Sequence, residues 1–440
     1  MYQSAKLGLT VVASPLEVGA GDADELLSLE SRTLQEFGRP GLEILPTADP
    51  VIDASSAVQA GRYFYEQRVD AICALAASWF EDYLVLDMLE ECPVPFIGWS
   101  RPGMETGSLC GMQQLGFILR QLGRSYTLLF DDVHSTTASN RIWDMTRAAA
   151  LRSALRRARI GLLGHRVEGM TDTTAPELLL KRIFGPRIIG LDSRTFLEQV
   201  AQVPSDEVAG AWRMVKGKVG TVNVSDEDGI ASLRTWYVLR ERIAALGLAA
   251  VAVGCYPDLM GHVCLAASLL GEEGVPVACE GDVNRALAML ILMCLSGGPV
   301  HNTDLLDPIP GDNAIVFSHC GSGSFSLAVS PDNITLAPVR LVGKGVCCTF
   351  PARPGIVTLL HVSPTPQGYR MAILYGEALE TNMVFPGNPL RVHFEMPYRD
   401  ILDWIACEGL GHHWMAAYGD LRRPLRDLAA LAGCECVVTG

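Results

Sequence analysis

The sequence predicts an α/β protein: two Rossmann-like α/β domains, followed by a C-terminal domain of antiparallel, β-barrel-like character. Three observations carry that expectation. Buried-strand runs alternate with helically spaced segments through the N-terminal part, and the alternation begins afresh at Arg159. Late in the chain it gives way to runs rich in Val, Ile, Thr and Phe, cut by Gly and Pro. The expected domains are 1–150, 151–303 (carrying Glu280) and 304–440.

The elements follow in order. Lys6–Ala13 and Asp70–Ala77 read as buried strands, with helical spacing over Ala54–Gln67 between them, which makes a βαβ unit with a parallel sheet. Pro95–Trp99 and Tyr126–Phe130 continue the pattern. Arg152–Arg159 alternates basic and apolar residues as a solvated helix face does. Arg159–Gly164, Gly185–Asp192, Leu248–Cys255 and Val275–Cys279 are the strands of the second region. Gly355–Val362 and Tyr369–Leu374 are expected antiparallel strands, with closing helices at Tyr398–Cys407 and Leu421–Ala432.

With 440 residues the chain is too long for one core. A net charge of −14 argues against nucleic acid and anionic membrane surfaces as partners. The 13 cysteines are odd in number and mostly embedded in apolar runs, as in a reducing compartment. The N-terminus lacks a signal-peptide pattern, and the apolar stretch Ala286–Ser296 is too short to cross a bilayer. Together these point to a cytoplasmic protein.

Glu280 is the most informative residue. It lies between the apolar run Val275–Cys279 and the almost wholly apolar Val283–Ser296. A carboxylate placed there must be paired, protonated or bound to a cation, because an isolated buried charge is costly. Asp282 suits the cap of the following helix. Asp304 follows that helix, His319 comes next, and a His412–His413 pair lies near the C-terminus. Carboxylates with histidines and no thiolate suit Mn²⁺, Mg²⁺ or Fe²⁺ better than structural zinc. Each residue taken alone also has an ordinary reading, an Asp as a cap and a His pair as filler. Tyr256 and Asp258 end a strand and are candidates to line a pocket, with a turn role for Pro257-Asp258 equally open. Gly321–Ser324 lacks the Lys of a phosphate loop, and no Gly-x-Gly-x-x-Gly opens either α/β region, which weighs against a nicotinamide dehydrogenase.

Pro276-Val277-Ala278-Cys279-Glu280-Gly281-Asp282-Val283, then Gly298-Pro299 and Asp304, resembles the signature of the L-fucose isomerase family. The interval from Glu280 to Asp304 matches that family's glutamate and aspartate. His319 stands where the related L-arabinose isomerases have a histidine. Their His-His pair, whose second member binds metal, maps His413 onto the ligand and His412 onto a substrate-contacting position. Ser78-Trp79-Phe80-Glu81-Asp82 is similar to a first-domain segment whose tryptophan packs on sugar.

The resemblance implies a metal-dependent aldose–ketose isomerase working through a metal-held cis-enediol. Its metal would be Mn²⁺, or Mg²⁺, Co²⁺ or Fe²⁺, held by Glu280, Asp304 and His413. Glu280 and Asp304 would be catalytic, with Trp79, His412, His319 and Tyr256 binding substrate. It further implies a homo-oligomer, trimer or hexamer, with active sites shared between subunits. The substrate would be an L-fucose- or arabinose-type sugar, or an acidic hexose such as sulfoquinovose, whose anion would need cations such as His301, Arg285 and His412. The competing expectation is a non-catalytic, two-lobed sugar-binding or sensor protein.

Overall fold

The computed structural model describes residues 4–17, 22–36 and 39–439. The chain divides into two compact units. One is built from the chain up to Ala154 together with Arg423–Ala432; the other is Leu155–Arg422 with the segment that follows Ala432.

The first unit contains β1 (Ala5–Val12), α1 (Ala23–Glu36), β2 (Leu42–Pro46), α2 (Ala54–Gln67) and β3 (Ala71–Ala76). It continues with α3 (Tyr83–Glu91), β4 (Phe96–Ser100), α4 (Ser108–Gln121), β5 (Tyr126–Phe130) and α5 (Thr136–Arg157), within which the boundary falls. The strands pair in parallel in the order β2-β1-β3-β4-β5, a doubly wound arrangement. β3 is buried along its whole length, as expected of a strand covered on both faces. α2 begins at Asp53, whose carboxylate accepts from the Ser56 N–H while the Ser56 hydroxyl accepts in return from the Asp53 N–H.

The second unit opens with β6 (Arg159–Leu163), α6 (Glu177–Ile183), β7 (Arg187–Leu191), α7 (Ser193–Gln202), α8 (Ser205–Lys216) and β8 (Thr221–Val222). Then come α9 (Asp226–Leu246), β9 (Ala250–Val253), α10 (Cys264–Glu272), β10 (Val277–Ala278) and α11 (Val283–Ser296). Its parallel sheet runs β10-β9-β6-β7.

The remaining strands are β11 (His301–Ile309), β12 (Ala314–Ser318), β13 (Thr335–Val339), β14 (Lys344–Thr349), β15 (Gly355–Pro364), β16 (Tyr369–Leu379) and β17 (Leu390–His393). After α12 (Tyr398–Glu408) the chain adds β18 (His413–Tyr418), sends α13 (Arg422–Ala432) largely into the first unit, and ends on β19 (Glu435–Thr439). A separate, largely antiparallel sheet runs β15-β18-β11-β12-β17-β16-β19, with β15 also pairing β16 and only the β16–β19 step parallel. A small sheet, β14-β13-β8, was not foreseen from the sequence.

α11 positions the site. Eleven of its fourteen residues are apolar, and nearly all are buried. An all-round apolar helix must be covered on every side. Here it lies against β9 and β10 of the parallel sheet and against β15 and β18 of the antiparallel one. Its N-terminus is thereby fixed between these two of the unit's sheets.

Candidate metal centre

The chain leaves β10 through two consecutive left-handed residues, Glu280 (φ +66°) and Gly281 (φ +67°). The glycine is required: a Cβ there would stand 2.5 Å from the His165 carbonyl oxygen. The glutamate adopts the same region at a steric cost, of the kind concentrated at functional sites. Its backbone is held at both ends, since the Glu280 N–H points to the Cys255 thiol at 3.4 Å and the Val167 N–H donates to its carbonyl at 3.2 Å. The turn ends at Asp282, whose Oδ1 accepts from the Arg285 N–H at 3.0 Å and caps α11.

Strand register supplies the other groups. Asp304 on β11 lies directly opposite His413 on β18 and Ser318 on β12. Side chains of directly opposed residues share one face of the sheet. His319 lies just past the end of β12, where the chain has left the strand and its alternation no longer applies. Glu280, Asp304, His319 and His413 are therefore brought together from four segments. His413 Nε2 is 3.1 Å from Glu280 Oε2 and 3.8 Å from Asp304 Oδ1. His319 Nε2 is 3.6 Å from Glu280 Oε1 and 3.7 Å from Asp304 Oδ2.

Arg285 enters the same cluster from the first turn of α11. Its wholly buried guanidinium donates to Glu280 Oε2 at 3.3 Å and also to Asp304 Oδ1. This corrects its expected place in a cation group for an anionic sugar, because both donating arms are taken by the protein's own carboxylates. His301 is likewise removed from that group. It is buried beside the Tyr418 hydroxyl (3.4 Å), and burial, with the Arg353 charge, depresses its pKa to about 3. His412 remains at the half-exposed rim, 3.6 Å from Asp172 and with its ring 4.0 Å from that of His413.

The electrostatics favour ionised acids. Burial alone would raise the Glu280 carboxyl, but the His319 and His413 imidazoles and the Arg285 guanidinium hold it far below the usual carboxylate range. Asp304 is also lowered: burial is outweighed by the charges of His319 and Arg285.

The donor set fits a divalent cation. The Asp282 carboxylate can only accept, so His413 Nδ1, 2.7 Å away, must donate to it. In the neutral ring Nε2 then presents a lone pair to Glu280 Oε2 at 3.1 Å, and this buried nitrogen has no hydrogen-bond partner. Two acceptors that close need positive charge between them. Burial and Arg285 would lower the His413 pKa, but the bonds to Asp282 and Glu280 raise it. In the ion-free centre a proton on Nε2 therefore fills that role, and in a loaded one a cation would. Glu280, Asp304 and Asp282 are met by the Arg285 guanidinium and by the His319 and His413 imidazoles, whose pKa values burial would lower but neighbouring anions raise above their ordinary range. A divalent cation bound here would take the place of the imidazolium protons. Two overlapping groups, Glu280 with Asp304 and His319, and Asp304 with His412 and His413, have ligand atoms within 4.8 Å of one another. Such a group could hold a metal ion.

Two expected substrate-binding residues have surroundings of their own. Tyr256 is 49% exposed in the bend after β9. Trp79 belongs to the first unit, where its indole N–H donates to Gln114 Oε1 at 3.2 Å. Sequence reasoning missed the second task of Asp282. It also missed His361, whose Nδ1 donates to the His413 carbonyl at 2.7 Å. Neither partner of His413 is near it in sequence, so no local signal announces them.

Curated relatives named sulfoquinovose isomerase resemble this chain over most of its length. The protein from Alkalicoccus urumqiensis is 26% identical over 375 residues, covering 82% of this chain and 84% of that one. The one from Priestia aryabhattai is 26% identical, covering 84% and 86%, and that from Clostridium sp. (strain MSTE9) 25%, covering 76% and 77%. They support an isomerase acting on sugars. The relatives thus count against the non-catalytic alternative. No family model matches. Among solved structures, a periplasmic solute binding protein of an ABC transporter from Actinobacillus succinogenes 130z covers 63% of this chain and 78% of that one. Its TM-score of 0.18 at 10% identity is too low to carry an argument. No helix among the described residues is long and apolar enough to cross a membrane.

Proposed function

We propose that the protein is a divalent-metal-dependent aldose–ketose isomerase of the L-fucose isomerase-like type, acting on an acidic hexose of the sulfoquinovose kind. The reading rests on one observation above the others: the Glu280 and Asp304 carboxylates each lie 3.1–3.8 Å from the Nε2 atoms of both His319 and His413. The relatives' names supply the substrate class.

Glu280, Asp304 and His413 would hold the ion, with Mn²⁺ as the first candidate and His319 closing the other side. When bound, the metal supplies Lewis acidity, polarising a carbonyl and lowering the pKa of an adjacent hydroxyl. The protein's own groups carry the protons. Glu280, kept ionised by its neighbours, takes the proton from carbon to give a cis-enediol and returns it to the adjacent carbon. Asp304 moves the proton between the two oxygens. Arg285, donating to both carboxylates, keeps them parted and oriented through the cycle. His412 at the rim is the remaining sequence candidate for meeting the substrate's acid group.

The test is a panel of L-fucose, L-arabinose, D-arabinose and sulfoquinovose incubated with protein and Mn²⁺ and scored for ketose. Sulfoquinovose is expected to react. Glu280→Gln is expected to fold normally and to lose at least about 10²-fold in rate, the lower end for a general base. No ketose from any sugar in metal-loaded protein, or a fully active Glu280→Gln, overturns the reading.

A further inference from the structure

We infer that Asp282 is a positioning residue: one carboxylate both starts α11 and fixes the tautomer of His413, so that Nε2 faces the acidic pair as a lone pair. The inference rests on the metal-centre reading above but is tested separately from it.

The two oxygens of Asp282 have different work. Oδ1 accepts from the Arg285 N–H at 3.0 Å, and Oδ2 accepts from His413 Nδ1 at 2.7 Å. The residue is 4% exposed, so water cannot substitute easily for either bond. Without a partner at Nδ1, a neutral imidazole would be free to carry its proton on Nε2. That proton would point at Glu280 Oε2 and close the nitrogen to a metal. Carboxylate partners on the far nitrogen of a ligating histidine set its tautomer and raise its basicity. The His361 bond to the His413 carbonyl fixes the backbone of the same residue, leaving the ring orientation to Asp282.

Only a group that accepts twice can do both tasks. Asparagine has one acceptor and one donor. If its oxygen caps α11, its amide N–H₂ meets Nδ1 and forces the proton onto Nε2. If its oxygen serves His413, a donor faces the Arg285 N–H. Serine, by contrast, is a good N-cap but too short to reach His413 as the carboxylate does. Asp282→Ser therefore separates the helix-starting role from the positioning role, and Asp282→Asn disturbs one or the other.

The experiment has two readouts. ¹⁵N NMR of the histidines in metal-free protein, at a pH that leaves the ring neutral, is expected to show His413 protonated on Nδ1. In Asp282→Ser it is expected to shift towards Nε2–H. Titration of metal-free protein with Mn²⁺, followed by EPR of the free ion, is expected to show affinity falling 10–100-fold in Asp282→Ser, the range for lost outer partners of metal ligands. Its thermal midpoint should stay close to the parent's. An Nε2–H tautomer in the parent, or unchanged Mn²⁺ affinity in Asp282→Ser, overturns the inference. If the parent binds no Mn²⁺ but shows the Nδ1–H tautomer, the metal reading fails while the role of Asp282 in fixing the ring stands.

Discussion

Replacing Arg285 by methionine tests the charge balance of the centre directly. The change keeps side-chain length and approximate volume but removes a guanidinium whose side chain has no exposed surface and which donates to Glu280 and Asp304. Removing one partner of a buried ion pair generally costs about 3–5 kcal/mol, because the other charge stays behind uncompensated. Here the two carboxylates keep 20% and 22% of their surface, so water recovers part of that loss. The lower end, about 3 kcal/mol, is the expected cost, equivalent to roughly 6–12 °C in the midpoint of a domain of 150–250 residues. The assay is thermal unfolding followed by far-UV circular dichroism, run in EDTA and again with excess Mn²⁺. The variant should fall well below the parent in EDTA and recover more than the parent gains when the ion is added, since a divalent cation takes over the compensation. An unchanged midpoint in EDTA would refute the assignment of Arg285 as counter-charge to the pair.

Two further outcomes are expected. His301 has a folded pKa of about 3 against an ordinary value of 6.5, so the unfolded chain takes up a proton there that the folded chain refuses. Its contribution is complete above about pH 6.5 and is lost as pH falls towards 3, amounting to about 2 kcal/mol by pH 5. His301→Gln should flatten the pH dependence of stability across that window, and an unaltered profile would count against it. Gly281→Ala combines a left-handed backbone with a Cβ 2.5 Å from the His165 carbonyl, and should cost about 2 kcal/mol or more. It should also displace Glu280, seen as weaker Mn²⁺ binding; a variant as stable as the parent would show that the turn relaxes freely.

Where local chemistry decides the structure, the sequence was readable. α2 was expected over Ala54–Gln67 and occupies that span, because Asp53 and Ser56 form the start signal themselves. α11 was expected over Val283–Ser296 and is found there, bounded by Asp282 and by Gly297 at φ +72°. The convergence of Glu280 and Asp304 with histidines was anticipated from the residue types, and the resemblance singled out His413 as the ligand and His319 as a neighbour. What failed was anything set by distant pairing. Asp304 follows α11 as expected, but the strand it belongs to, created by pairing with β12 and β18, was not foreseen. Nothing in His301–Asp307 alternates as a half-buried strand should. Arg285 was read as available for substrate because sequence cannot show that its two nearest acids already claim it. The Asp282–His413 bond joins positions 131 apart, out of reach of any local pattern.

The return of α13 to the first unit bears on how the protein is made. Arg141 of α5 donates to both oxygens of Asp427, and Leu431 packs on the cluster that contains Ile142 and Trp99. During synthesis the first five strands leave the ribosome long before residues 423–432 exist. Until then Arg141 lacks its carboxylate and an apolar face lacks its cover. The first unit thus cannot finish folding until residues 423–432 have been made. A C-terminal truncation that spares every residue of the metal centre would therefore leave that unit incomplete.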